Sequence, residues 1–245
     1  MKKALLVVLL LFLPITTMAR SSTSSDSNFI RLQVATFDPI TTGEPSALRE
    51  PALATAENPY YIVQFASPAS AASVAQAEQL GAQLLGYLPD NAYIARIDSA
   101  TFDRVRSLPA LRWVGPYRPA YKRAPALTEQ ARLAADAPLE LQVLGFAGEP
   151  ASAIVERLRD LGGTVVEASD TPFGPALRAS LPANQVAQLS AEPAVSWIEP
   201  YIQPQLDNAE GRKIMGAESV WQSNTLFGGN QIVAVSDSGL SVQGA

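Results

Sequence analysis

YYIVQF at 60–65 and LQVLGF at 141–146 decide how this chain of 245 residues folds. Each is a short run of aliphatic and aromatic residues interrupted by one glutamine, the composition of a strand that is buried along most of its length. The two align at an offset of 81, and the same offset pairs Leu80-Gly81 with Leu161-Gly162. Farther on the offset becomes 84: Ala95 and Ile97 match Ala179 and Leu181, and Trp113, Pro116 and Tyr117 match Trp197, Pro200 and Tyr201. A three-residue insertion near Asp170-Thr171-Pro172 accounts for the change, and a hairpin turn belongs there because surface loops accept insertions. Self-similarity anchored on rare Trp and Tyr reads as a duplicated unit.

Each copy reads strand, helix, strand, strand, helix, strand. In the second copy Ala151, Ile154, Val155, Leu158 and Leu161 form one helical stripe. Leu139, Leu141 and Val143 alternate with Glu140 and Gln142, and Leu177, Ala179 and Leu181 alternate with Arg178 and Ser180. Such alternation marks strands with one covered face. Short second helices fit 101–108 and 183–190, with closing strands at 111–117 and 195–201. The expected class is α+β, two tandem ferredoxin-like βαββαβ units, each an antiparallel four-stranded sheet with two helices on one face. Units of roughly 65 residues bury only about 60% of their chain surface, so each needs a partner surface. Trp113 and Trp197 are expected as core residues on equivalent strands.

Met1–Ala19 has Lys2 and Lys3, an apolar stretch from Ala4 to Leu13, and Thr17-Met18-Ala19 before Arg20. This is the layout of a secretory signal, too short for a comfortable span of about 20 residues, and it predicts export and a secreted protein. The rival reading is a short N-terminal anchor. SSTSSDS at 21–27 reads as a flexible run, Ile30, Leu32 and Val34 as one half-buried strand, and the proline-bearing 38–59 as an extended linker. The expected organisation is a signal at 1–19, leader and linker at 20–58, a first unit at 59–123, a linker at 124–137, a second unit at 138–206, and the start of another domain at 207–245.

The chain has no His and no Cys, which excludes a Ser-His-Asp or Cys-His site, a thiolate nucleophile, a disulfide and the usual zinc ligand sets from these residues. Its 18 basic and 23 acidic residues give a net charge of −5, or −7 once Lys2 and Lys3 are removed. An acidic chain without a Lys/Arg cluster is a poor partner for nucleic acid or an anionic membrane. A βαββαβ unit hosts many functions. An RNA-recognition module needs exposed sheet aromatics and basic residues, and strand three of the first copy offers only Tyr93. A small-molecule sensor would need a ligand signature, which is missing. A prodomain that folds against an attached enzyme is the third reading.

After Tyr201 the pattern breaks. Ile202, Gln203, Pro204, Gln205, Leu206, Asp207 and Asn208 form an extended polar stretch, GRKIMGAESVWQ at 211–222 is helical, and Ile232–Val235 reads as a strand buried on both faces. Asp237, followed by Ser238-Gly239, stands at the carboxyl end of that strand, where open α/β sheets place their sites. A helix-capping role for Asp237 is equally compatible with the spacing.

IVAVSDSGL at 232–240 resembles the aspartate segment of the subtilisin-like serine proteases, and RKIMGAESVW at 212–221 resembles the start of their catalytic domain. The two βαββαβ units are similar to the family's inhibitor-type prodomain, here doubled, and IRLQVATFDP at 30–39 is similar to the leader of long-prodomain relatives. The resemblance implies that Asp237 is the triad aspartate of a serine endopeptidase precursor. It implies that the second sheet docks on the chain's own catalytic domain, that residues 202–208 lie in the substrate cleft as an inhibitory strand, and that processing falls near Leu206–Asn208. Polypeptides would be the substrates. Position 236 is Ser where many relatives carry a bulky aliphatic, and the family's His and Ser follow the Asp beyond Ala245. The expectation is therefore an N-terminal piece of a longer protein, inactive alone, without a cofactor of its own. Calcium is implied only for a catalytic domain beyond it. The alternative is a stand-alone secreted inhibitor or binding module.

Overall fold

The structure, a computed structural model, describes residues 28–50, 53, 58–134, 136–203, 211 and 213–224. The fold is α+β with antiparallel sheets. A small hairpin, β1 (Ile30–Arg31) and β2 (Thr36–Phe37), comes first. The first large sheet has β3 (Tyr60–Phe65), β4 (Ala82–Leu88), β5 (Ala92–Ile97) and β6 (Leu111–Pro116), with α1 (Ala71–Gln79) after β3 and α2 (Ser99–Arg106) after β5. The second has β7 (Pro138–Gly145), β8 (Thr164–Thr171), β9 (Gly174–Pro182) and β10 (Val195–Pro200), with α4 (Ala151–Asp160) and α5 (Val186–Ser190) in the matching places. Between them stand a 3-10 turn, Pro119–Lys122, and α3 (Pro125–Ala134).

The sheet orders are β4-β5-β3-β6 and β10-β7-β9-β8, which are the same order read from opposite ends. The irregularities also coincide. β4 bulges between Leu84 and Gly86 and β8 between Val165 and Glu167; β6 slips register opposite Gln64/Phe65 and β10 between Val195 and Trp197. The β4–β5 hairpin turns through Pro89, Asp90 and Asn91, and Asp90 and Asn91, at φ 63° and 60°, take the left-handed conformation that Asp and Asn tolerate in turns. The β8–β9 hairpin is three residues longer, at the expected insertion.

The pairing corrects the repeat by one residue. Tyr61 opposes Ala95 as Leu141 opposes Ala179, and Gln64 opposes Trp113 as Leu144 opposes Trp197. The offset is therefore 80 in the first strand, against the expected 81, and 84 in the last. One residue decides which face a side chain takes.

On the helix side each sheet has its own core: Val63, Phe65, Ala95, Ile97 and Val105 in the first, Leu141, Val143, Ile154, Leu158 and Leu177 in the second. Tyr93 packs into the first core, so it is not an exposed sheet aromatic. α3 adds Leu127, fully buried, to the second core. The stretch 124–137, expected as a linker, thus carries a helix of the second layer, and Pro125 at its start is a residue that helix N-termini favour. Nor is the leader one strand and an extended linker. Ile30 and Phe37 of the hairpin are buried, and a 3-10 turn covers Ser46–Leu48.

Residues 202–245 form a separate unit, in which α6 (Ala217–Asn224) is the described helix. No helix among the described residues is long and apolar enough to cross a membrane. The expected signal and the Gln231–Val235 strand lie outside the described residues.

Candidate functional site

The two sheets differ on the face away from their helices. In the first, Tyr60, Ile62, Gln64 and Ala92 are buried there, packed with Ile30 and Phe37 of the leader and with Phe146, which follows β7. The Phe146 ring stacks on Tyr60 at 3.7 Å between centroids. Four ion pairs fasten the leader: Arg31 to Asp90 at 2.6 Å, Asp38 to Arg112 at 2.7 Å, Glu44 to Arg118 at 2.6 Å, and Glu50 to Arg123 at 2.5 Å. Arg112 also donates to Gln64 Oε1 and to the carbonyl of Asn28, and Gln64 Nε2 donates to the carbonyls of Phe29 and Asp90. The Arg112 guanidinium and the backbone N–H of Ile40 hold the Asp38 carboxyl well below the usual carboxylate range. Tyr121 donates its hydroxyl to Glu44, and burial followed by that carboxylate pushes its phenol well up.

Register identifies the counterparts in the second sheet. Tyr60, Ile62, Ile94 and Gly115 are replaced there by Glu140, Gln142, Arg178 and Glu199. This face is amphipathic, and the described leader residues pack on the first sheet instead. Arg178 lies 4.0 Å over the Tyr201 ring and 3.6 Å from Glu140. Trp197 donates its indole N–H to Glu199 at 3.0 Å. In the first sheet the corresponding Trp113 lies over Gly115 so closely that a Cβ there would sit 2.1 Å from the ring. Both tryptophans are half-buried on equivalent strands and pack against core residues, as expected; Trp113 lies against the cluster under the leader, and Trp197 lies against the second core while its indole N–H meets Glu199.

The chain leaves this face along β10. Tyr201 N–H donates to the carbonyl of Glu140, which extends the pairing one residue past the strand, and Ile202 and Gln203 are exposed. Of the proposed cleft-binding tail, only these two are described; Pro204, Gln205, Leu206, Asp207 and Asn208 lie outside the described residues, as does Asp237. Among the described residues no catalytic constellation is brought together, and the candidate site is the amphipathic face of the second sheet. Among the described residues no cluster of acidic side chains is arranged to hold a metal ion.

Sequence reasoning missed the sealing of one face and the opening of the other. A signal was present: acids at 38, 44 and 50 recur every six residues, and arginines stand at 112, 118 and 123. Only the fold shows that they pair.

Residues 31–118 match the model of a domain of unknown function (DUF8729). The matched stretch runs from β1 to the end of the first sheet, so it includes both the leader and the face the leader seals. No curated protein and no solved structure matches the chain.

Proposed function

We propose that these residues are the N-terminal part of a secreted subtilisin-like serine endopeptidase precursor, in which two tandem ferredoxin-like units act as intramolecular inhibitor and folding template. The supporting observation is the contrast between the two sheets. The first is closed by its own leader, whereas the second carries Gln142, Leu144, Arg178, Trp197 and Glu199, all half-exposed, on the matching face. A polar-aromatic face suits reversible docking, because both of its states are tolerable in water. In this reading the face docks on the attached enzyme. The tail from Ile202 to Asn208 enters the cleft by strand addition, with affinity from backbone hydrogen bonds. Binding only the native enzyme stabilises it, which is how docking assists folding. Asp237 would orient a downstream His and stabilise its imidazolium, a role whose loss costs about 10⁴ in turnover.

The coding sequence past codon 245 tests the proposal. A His at a Gly-rich helix start, followed by a Gly-[Thr/Ser]-Ser nucleophile segment, is the expected result. A stop codon after Ala245 would remove the enzyme and leave the alternative, a stand-alone inhibitor. That alternative predicts that purified 20–245 inhibits a subtilisin and that truncation after Tyr201 weakens inhibition. Peptide hydrolysis by pure 20–245 would refute both.

A further inference from the structure

Lys122 closes the 3-10 turn that joins the two sheets, and it is 1% exposed. Its Nζ donates to the carbonyl of Glu192 at 2.8 Å and reaches that of Pro193 at 3.5 Å, in the turn that leads into β10. It also stands 5.9 Å from the centre of the Phe146 ring, the ring that stacks on Tyr60 of the first sheet. One amine thus touches the connection, the second sheet's last turn and the aromatic contact between the halves.

Among the described residues no carboxylate pairs with this amine, which meets only the two carbonyls and the Phe146 ring. The carboxylate of Glu192 acts on Lys122 only from a distance, and its Oε1 accepts from the N–H of Ala194. α5 carries no titratable side chain, and Glu199 of β10 is engaged by Trp197. The phenols of Tyr117 and Tyr121 are held neutral by burial, while Arg118 and Arg123 are bound to Glu44 and Glu50.

We propose that Lys122 is a proton-operated lock on the joint between the sheets: neutral, it holds the 119–124 turn against residues 192–193; charged, it drives that turn toward water. The physical reason is that a sealed ammonium without an adjacent counter-charge regains hydration only by opening its surroundings. Burial lowers the amine to about 7, with Glu192 pulling weakly the other way. In the opened joint the amine returns to about 10.4. Between those values the open form binds a proton that the closed form does not, so the closed form gains stability as pH rises through this window. Below the lower value both forms carry the proton, and the cost of the buried charge is felt in full.

The chain has only four lysines, Lys2, Lys3, Lys122 and Lys213, so a titration of the full chain with ¹³C-labelled lysine is readable. One Cε signal titrating near neutral pH, and lost in Lys122→Met, is the expected result. Limited trypsin cleavage after Arg123, normalised to an unstructured substrate, should be about tenfold faster at pH 6 than at pH 8. Lys122→Met should remove that difference, and Lys122→Arg should be cut rapidly at both values. Lysines that all titrate near 10, or an unchanged pH dependence in Lys122→Met, overturns the proposal. Should Lys122→Met fail to fold, the wild-type titration alone decides.

Discussion

Replacing Phe146 by Ala should uncouple the two halves of the molecule. Phe146 is 5% exposed, stacks on Tyr60 at 3.7 Å, and meets Tyr117 edge-on at 5.9 Å. Truncating a buried Phe costs about 3–5 kcal/mol, and the ring contacts contribute about 0.5–1.5 kcal/mol beyond area burial. Tyr60 loses its stacking partner but keeps its hydroxyl bond to Glu149 at 2.6 Å, which places the expected loss near the middle of the larger range. Trp113 and Trp197 lie one in each sheet, so urea unfolding followed by single-tryptophan fluorescence reads the halves separately. The unmodified chain should give coincident transitions from both probes. Phe146→Ala should lower both midpoints and draw them apart, with the Trp113 sheet, whose open face has lost part of its cover, unfolding first. A double-mutant cycle with Tyr60→Leu should return a coupling of about 1 kcal/mol. A loss under about 1 kcal/mol with coincident midpoints would refute the claim that this ring joins the sheets.

Asp38 is held below its usual range, so the stability it contributes is present above about pH 4 and is lost as pH falls below that value. Asp38→Asn should flatten the acid limb of a stability–pH curve measured by urea midpoint. Gly115→Val should force the Trp113 indole off its strand at a cost of about 1–3 kcal/mol, read as a lower melting temperature and altered tryptophan emission. Arg178→Glu together with Trp197→Ala, on the open face of the second sheet, should cost about 1–3 kcal/mol, because Trp197 is half-buried against the second core, and should abolish inhibition of the attached or added protease by the still folded variant; retained inhibition would exclude this face from docking.

The order of strands and helices was legible because alternation and the Ala151–Leu161 stripe are local properties of the chain. The register was not. Matching by residue type set Tyr61 against Gln142, whereas the sheet sets Tyr61 against Leu141, because facing is decided by pairing across strands rather than by chemical likeness along one. The helix at Pro125–Ala134 was hidden by its weak stripe, Leu127 and Ala131 being its only contributions to the core. Lys122 could not have been found: a lysine between Tyr121 and Arg123 reads as surface until the turn before β10 closes over it. The candidate face was half legible, since Glu140, Gln142 and Arg178 were read as the outward residues of their strands. That a leader covers their counterparts follows from contacts far apart in sequence.

The shared irregularities have an evolutionary meaning. A bulge interrupts the sheet after Leu84 and after Val165, and again opposite Gln64/Phe65 and between Val195 and Trp197. Two regular sheets would be uninformative about descent, since any pair of hairpins of this length can be regular. Kinks placed identically record inheritance, because an extra residue in a strand re-aims all that follow it and is hard to acquire twice at the same rung. The ancestor was therefore already bent before it was copied. The later changes were confined to what lies on the bent frame: a lengthened hairpin, a leader-capped face in one descendant and an amphipathic one in the other.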